Sequence, residues 1–210
     1  MWPFDRFTRR GRARRRLAKA VPLTADLAEG TFVRVSGSVR ALDETLESAL
    51  LGAPCVAFDA RAKVAVLQSQ HGPKFQAMPR PELTRLTPFL IEGDAGTVLV
   101  DGARALFDAP AQRVPSGDRP HAFLAMQGYS SQHGVIPRYY EIVISERDVI
   151  EVAGVLMRDA ALGPAAQARA FREGPPPTMR LAGSDDHPLV IKYLSRGERV
   201  VGESGTRRWV

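Results

Sequence analysis

The chain of 210 residues contains a single cysteine, Cys55, and no long hydrophobic run. One cysteine cannot form an intramolecular disulfide or a cysteine-rich zinc site. The longest apolar run, residues 49–58, is about half as long as a bilayer requires and is broken by Gly52 and Pro54. No apolar segment follows the N-terminal arginines, so a cleaved signal peptide is not expected. These absences predict a cytoplasmic protein without a spanning helix.

Patterns that carry catalysis or metal binding are also scarce. The four histidines are scattered, and none has the spacing of a metal site. The segment from Gly128 to Gln132 lacks the final glycine of a nucleophile elbow, and Ser184–His187 is typical of a turn. No glycine loop that could hold a phosphate precedes a helix. The sequence therefore predicts no enzyme activity, no metal and no cofactor.

Positive charge is concentrated at the N-terminus. Residues 1–20 hold eight basic side chains and one acidic one, whereas the remaining 190 residues hold 21 basic and 22 acidic groups. Because Gly11 interrupts the segment and like charges repel, residues 1–25 are predicted to form a disordered or conditionally helical arm, and residues 26–210 a folded body. The side chains expected to meet an anionic surface are Trp2, Phe4, Phe7, Arg9, Arg10, Arg12, Arg14, Arg15 and Arg16.

Short β-rich segments follow one another through the body. Residues 89–102 and 139–158 are predicted hairpins, whose turns are Glu92–Gly96 and residues 146–148. Residues 71–88 and 108–138 are interpreted as loops, and residues 164–173 as a helix. This spacing predicts an all-β fold with one or two short helices, either an OB-like barrel or a β-sandwich built from hairpins.

Two segments of the chain share one short strand pattern. In TFVRVSGSVR (31–40) and DVIEVAGVLMR (148–158), Val35 aligns with Val152 and Gly37 with Gly154. A strand that bends sharply in a small barrel needs a residue without Cβ at the bend. The two glycines are therefore predicted to play equivalent roles, although this pattern is also common in β proteins in general.

Three segments carry a family resemblance. LESALLGAPCV (46–56) includes Pro54 and Cys55, FLIEGDAGTVLVDGARA (89–105) includes Gly96, and YYEIVISERDVIEVAGVLMRD (139–159) includes Glu141. In this order and spacing they resemble the GIDE or "beside a membrane" domain of mitochondrial ubiquitin ligases and many bacterial proteins. Arg147 stands where that family more often has glycine, and Ala49 also departs from its pattern.

The resemblance implies a non-catalytic β domain that lies beside a membrane and binds a protein partner or ligand. Family members usually carry transmembrane helices, and the ligases carry a RING finger that one cysteine cannot supply. Glu141 is interpreted as a buried structural acid or, alternatively, as part of a binding surface. Cys55 is interpreted as a small buried hydrophobic residue.

These observations predict a binding or adaptor domain held peripherally at an anionic membrane by its basic, aromatic arm. An OB-like nucleic-acid-binding protein is the first alternative, which requires aromatic residues on a basic β face. An unrecognised enzyme is the second alternative. The expected partners are the anionic membrane surface and a protein or ligand of unknown identity, with nucleic acid less favoured.

Overall fold

The fold is that of a computed structural model, which describes residues 9–42, 45–68, 72–74, 81–129, 135–158, 179–184 and 187–196. Within these ranges the chain forms two helices, α1 (Arg9–Leu17) and α2 (Asp118–Met126). The strands are β1 (Val21–Pro22), β2 (Phe32–Ala41), β3 (Leu46–Glu47), β4 (Pro54–Cys55), β5 (Ala57–Gln68), β6 (Gly72–Lys74), β7 (Glu82–Leu86), β8 (Phe89–Gly93), β9 (Gly96–Gly102), β10 (Ala105–Asp108), β11 (Gln112–Val114), β12 (Val135–Ile144), β13 (Val149–Arg158), β14 (Met179–Gly183) and β15 (Leu189–Ser195).

Five strands close into a barrel in the order β2, β8, β9, β14, β13 and back to β2. All neighbours are antiparallel except β9 and β14, which are parallel. Among these five, the first strand in the chain pairs with the second and the fourth, and the third pairs with the fifth. This is the connectivity of the OB-fold. The predicted all-β, OB-like barrel is confirmed.

The two copies of the repeated strand pair with each other. β2 and β13 are antiparallel, with Val35 opposite Val152, so each glycine lies two residues beyond this central pair on its own strand. Along its other edge, β2 pairs with β1 before Gly37 and with β8 from Ser38 onward. β13 likewise pairs with β15 as far as Ala153 and with β14 beyond Gly154. Both strands thus exchange one neighbour for another at the glycine.

The barrel interior is filled by apolar side chains that alternate along the strands. Fully buried members from the five barrel strands include Val33, Val152, Phe89, Ile91, Val98, Val100, Leu156 and Leu181. β15 adds Leu189 beside three glycines, because a Cβ at Gly102, Gly154 or Gly183 would lie within 3.0 Å of that leucine side chain. These glycines let β15 approach the barrel closely enough to extend its sheet.

A second sheet lies beside the barrel. It runs in the order β11, β12, β5 and β6, and β7 also pairs with β5. Its core, which includes Phe58 and Tyr139, packs against Phe123 of α2 and Leu50 of the β3–β4 turn. Ile142 and Ile144 of β12 instead reach the barrel core. The second sheet is therefore continuous with the barrel's hydrophobic interior.

Several local expectations differ from the structure. Residues 89–102 form the predicted hairpin, but its turn is shorter, only Asp94 and Ala95. Residues 139–158 contain two strands and a turn, yet β12 pairs with β5 and β11 while β13 pairs with β2, β14 and β15. The turn is bound to β2 instead, since Arg147 N–H donates to the Val39 carbonyl at 2.7 Å.

The two predicted loops also contain regular structure. β6 and β7 lie within residues 71–88, and β11 and α2 lie within residues 108–138. Pro120 sits in the first turn of α2, where a missing backbone N–H costs no hydrogen bond, so it does not disrupt the helix. The predicted helix at 164–173 lies outside the described residues.

Candidate functional site

Helix α1 is packed onto the barrel sheet. Ala13 and Leu17, four residues apart on one face of the helix, are buried against Ala153 of β13 and Val190 of β15. Ala20, just after the helix, belongs to the same small cluster. Of the predicted disordered or conditionally helical arm, residues 9–17 adopt the helical form, because they have a folded surface to cover.

Two arginines fix the helix from the side. Arg10 Nε donates to Asp108 Oδ1 at 2.6 Å, and Arg14 Nε donates to Asp108 Oδ2 at 3.0 Å. Asp108, at the end of β10, is only 6% exposed. Burial by itself would raise its pKa, but the hydrogen bonds from Arg10 and Arg14 outweigh burial and hold the pKa below the usual value. Arg10 and Arg14 therefore stabilise the packing of α1 on the body through Asp108.

A cationic groove of about 540 Å³ runs along another side of α1. We call it the arginine groove; its lining residues are Arg9, Arg12, Arg16, Glu82, Thr84, Ala103, Arg104, Ala105, Leu106 and Pro188. The one carboxylate, Glu82, forms an ion pair with Arg9. Thr84 is engaged as well, since its hydroxyl donates to the buried Asp59 at 3.0 Å. Four guanidinium groups thus share the groove with a single carboxylate.

The outward face of α1 is also basic. Arg12 and Arg15 are exposed and lie opposite Ala13 and Leu17 on the helix, and Lys19, in the turn that follows α1, is exposed as well. No ion pair or hydrogen bond of Arg12 is found among the described residues. Trp2, Phe4 and Phe7, the predicted aromatic anchors, lie outside the described residues. Of the six predicted arginines, Arg9, Arg10 and Arg14 pair with carboxylates of the body.

Residues from two of the family-like segments meet at Glu141. Its two carboxylate oxygens accept hydrogen bonds from the backbone N–H groups of Leu50 at 3.0 Å and Leu51 at 2.8 Å. Glu141 is almost completely buried. Its charge therefore holds the turn between β3 and β4, which is followed directly by Pro54 and Cys55.

Cys55 is buried beside this carboxylate. Burial, with a smaller contribution from the negative charge of Glu141, raises the pKa of the Cys55 thiol to about 12. A thiol of such high pKa is fully protonated at neutral pH, whereas the thiolate is the reactive form. This environment is that of a structural cysteine rather than a nucleophile.

Gly37, Gly96 and Gly154 each satisfy a steric requirement. An ideal Cβ on Gly37 would lie 2.3 Å from the Glu92 carbonyl oxygen, and one on Gly154 would lie 2.7 Å from Leu189 Cδ2. Gly96 has φ of 89° directly after the two-residue turn of the β8–β9 hairpin. Arg147 adopts φ of 68°, so it occupies a conformation that glycine adopts more easily.

The exposed face of the second sheet carries a further basic cluster. Tyr140 of β12 is half-buried, and Lys63 Nζ lies 5.3 Å from the centre of its ring. Arg61 and Arg113 flank Tyr140 on the neighbouring strands. Arg138, two residues earlier, is exposed on the same face of β12. An aromatic ring and four cations therefore share one sheet face.

Metal binding and a membrane-spanning helix have little support in the described part of the chain. No group of three or more histidine, cysteine or acidic side chains there could hold a metal ion. Neither described helix is long and apolar enough to cross a membrane. His121 makes an edge contact with the buried Tyr139 ring and belongs to the packing of α2.

The sequence did not predict which residues of the body contact α1. Asp108 and Glu82 stand in segments with no motif, and Arg104 lies in the family-like segment 89–105 without an assigned role; only the tertiary structure brings them to the helix. One signal was available, because Ala13, Leu17 and Ala20 follow a helical spacing among the arginines. Comparisons of the chain with family models, with curated proteins and with solved structures found no match.

Proposed function

We propose that this protein is a non-catalytic binding domain that acts at the cytoplasmic face of an anionic membrane. The observation that carries the proposal is the fixed position of α1. Arg10, Arg14 and the buried Ala13 and Leu17 hold the helix on the barrel, and the exposed Arg12, Arg15 and Lys19 face away from it. A rigid cationic face loses less side-chain and backbone entropy on binding than a disordered arm would.

The strength of this attraction is modest. Each surface Lys or Arg contributes about 1 kcal/mol at an anionic leaflet, so three exposed cations provide weak, reversible binding. A second signal is needed for stable attachment. In this proposal it is provided by Trp2, Phe4 and Phe7, which precede the helix and would enter the interface beside the headgroups.

The β body would then bind a partner near the membrane. This adaptor role is what the resemblance of three segments to the "beside a membrane" domain implies. Glu141 is buried and hydrogen-bonded to two backbone N–H groups, and the Cys55 thiol has a high pKa. Both environments agree with a binding function rather than with catalysis at these positions.

Vesicle flotation of the full chain tests the membrane role. We expect binding to phosphatidylglycerol vesicles and little binding to phosphatidylcholine vesicles. Arg15→Gln with Lys19→Gln should weaken it about tenfold or more, since two contacts of about 1 kcal/mol are lost. The matched control, Arg113→Gln with Arg138→Gln, removes the same charge from the second sheet and should bind as wild type. Equal losses in both variants would contradict a role for α1.

Tryptophan fluorescence tests the aromatic anchors. In a Trp209→Phe protein, Trp2 is the remaining tryptophan, and its emission should shift to the blue on anionic vesicles. Changing Trp2, Phe4 and Phe7 to Ser should weaken vesicle binding. An unshifted emission with unchanged binding would show that these side chains stay in water.

A second candidate is single-stranded nucleic acid binding on the second sheet. It is favoured by Tyr140, which stands among Arg61, Lys63, Arg113 and Arg138. Stacking of a base on one aromatic ring contributes about 1–3 kcal/mol. If this candidate is right, Tyr140→Ala should weaken binding of a labelled oligonucleotide at physiological salt, whereas Arg15→Gln with Lys19→Gln should change it little. Binding that is lost only with the α1 cations would reject it.

A further inference from the structure

We propose that the exposed face of the second sheet docks an extended, acidic segment of a protein partner. This surface, which we call the basic sheet face, is formed by Arg61 and Lys63 of β5, Arg138 and Tyr140 of β12, and Arg113 of β11. The inference rests on the proposed adaptor role, because it names the chemistry of the partner that the β body would bind.

The first argument is the placement of these side chains. Paired residues of neighbouring antiparallel strands share one face of a sheet. Tyr140 lies directly opposite Arg61 on one side and Arg113 on the other, and Arg138 lies opposite Lys63. Neighbouring strands are about 4.8 Å apart, and alternate residues along one strand about 6.7 Å. The cations therefore surround the tyrosine ring at distances close to the spacing of alternate side chains in an extended peptide.

The second argument is that three of the cations are available to a partner. Lys63, Arg113 and Arg138 are exposed, and none of them forms an ion pair among the described residues. Guanidinium groups present a planar fork of N–H donors that matches both oxygens of one carboxylate. These three side chains can therefore form charge-assisted hydrogen bonds with carboxylates from another molecule.

The carboxylates on the same face do not neutralise these cations. Asp59 of β5 is buried and forms an ion pair with Arg61, and Glu82 of β7 forms one with Arg9 of α1. Arg9 also lies 3.9 Å from Asp59. Two carboxylates and two guanidinium groups thus balance one another, and the three exposed cations give the face its charge. An acidic segment is complementary to it.

The third argument concerns the tyrosine ring. Lys63 Nζ lies over the Tyr140 ring, 5.3 Å from its centre. A base that stacked on this ring would compete with the ammonium group for it. A carboxylate can bond to the same ammonium group without displacing it, because an ammonium group has three N–H donors. The face therefore suits carboxylates better than bases.

Docking on this face is weak in free solution. Exposed ion pairs contribute little individually and are screened by salt. A partner held at the same membrane would be present at a high effective concentration, which compensates for a weak contact. The basic sheet face therefore suits a partner that is itself membrane-bound.

Fluorescence anisotropy with a labelled peptide of alternating glutamate and serine residues provides the main test. The full chain should bind this peptide at low ionic strength and should not bind the same peptide with glutamine in place of glutamate. Arg113→Gln with Arg138→Gln should weaken binding about tenfold, because two charge-assisted contacts are lost. Binding that is unchanged in this variant would overturn the inference.

The control is Lys19→Gln with Arg85→Gln, which removes the same charge from outside the basic sheet face. Lys19 follows α1, and Arg85 pairs with Phe58 on the opposite face of the second sheet. This variant should bind the peptide as wild type does. All four substituted positions are exposed, so both variants should fold, and circular dichroism checks them. Equal losses in the two variants would show attraction by overall charge and overturn the inference.

A labelled oligothymidylate of equal charge separates a peptide partner from nucleic acid. It should bind more weakly than the acidic peptide. Tyr140→Leu removes the ring and should change peptide binding by no more than about threefold, because the ring contacts Lys63 rather than the peptide. Tighter oligonucleotide binding that is lost in Tyr140→Leu would overturn the inference and favour the second candidate function.

Backbone amide NMR of the wild-type chain locates the peptide without any substitution. The peptide should shift the signals of Arg113 and Arg138 and leave those of α1 unchanged. If these shifts occur while no vesicle binds, the docking inference stands and the membrane proposal fails. If vesicles bind and the peptide shifts no signal of the second sheet, the docking inference is overturned and the membrane proposal stands. If neither binds, both fail.

Discussion

At the scale of single residues, the buried charge of Asp108 stabilises the fold. Asp108 is the anchor of α1, and its folded-state pKa lies below the ordinary carboxyl value because of Arg10 and Arg14. A depressed pKa stabilises the fold fully above the unfolded-state pKa, which is about 3.9. That contribution is lost as the pH falls through the lower pKa of the folded state.

We therefore expect Asp108→Asn to lower the free energy of unfolding by about 1–2 kcal/mol at neutral pH, a value reduced because both guanidinium groups are partly exposed. The difference from wild type should shrink on acidification below about pH 4, where wild type loses the same interaction. Urea unfolding across pH measures it. Asp101→Asn, at a partly exposed ion pair with Arg180 of 3.5 Å, is the control and should cost under about 1 kcal/mol. A loss independent of pH would contradict this assignment.

Tyr139, in contrast to Asp108, carries a buried polar atom that has no hydrogen-bond partner among the described residues. This atom is the hydroxyl oxygen, and the ring is buried as well. An unsatisfied buried hydroxyl costs about 1–3 kcal/mol. Tyr139→Phe keeps the ring contact with His121 and should raise the melting temperature. A lower melting temperature would mean that the hydroxyl has a partner after all.

At the scale of elements, the paired strands β2 and β13 depend on their glycines. Gly37→Ala sets a Cβ against a backbone carbonyl, so we expect a loss of about 2–4 kcal/mol. Gly154→Ala should cost less, about 1–3 kcal/mol, because its nearest obstacle is the movable end of Leu189. Chemical denaturation measures both changes.

Gly117→Ala is the matched control for these strands. Nothing lies within 4 Å of its Cβ position, and its φ of 176° is ordinary extended backbone. It should cost under about 1 kcal/mol, mainly because alanine is a poorer N-cap of α2 than glycine. A neutral Gly37→Ala would show that β2 does not pass as close to β8 as described.

For the whole molecule, α1 is part of the folded unit. Removal of residues 1–20 would uncover Ala153 and Val190 and would leave Asp108 buried without either guanidinium. We expect the truncated chain to keep its strand-dominated circular dichroism but to unfold at a clearly lower temperature, with a loss of several kcal/mol. Arg12→Gln with Lys19→Gln, two exposed positions, changes charge but not packing and should melt as wild type. An unchanged melt of the truncated chain would show that α1 does not stabilise the barrel.

The amino-acid sequence alone determined the local features of this protein. The β-rich segments predicted β2, β8, β9, β12 and β13. The two-residue turn between β8 and β9 lies within the predicted turn Glu92–Gly96, where glycine readily takes the positive φ that Gly96 shows. The repeated Val-x-Gly pattern was visible as well, since the steric need for glycine at a sharp bend is a local property. Charge concentration at the N-terminus was also a matter of composition.

Only the tertiary structure decided which elements meet. β2 and β13 stand more than 110 positions apart, and β12 pairs with β5 rather than with its neighbour in the chain. Strand partners depend on which edges remain open after the other strands have paired, so no local pattern specifies them. The position of α1 has the same cause, because Asp108, Glu82 and Arg104 come from distant segments. Long-range packing therefore places the basic N-terminal segment on the barrel as a docked helix, with a cationic groove beside it.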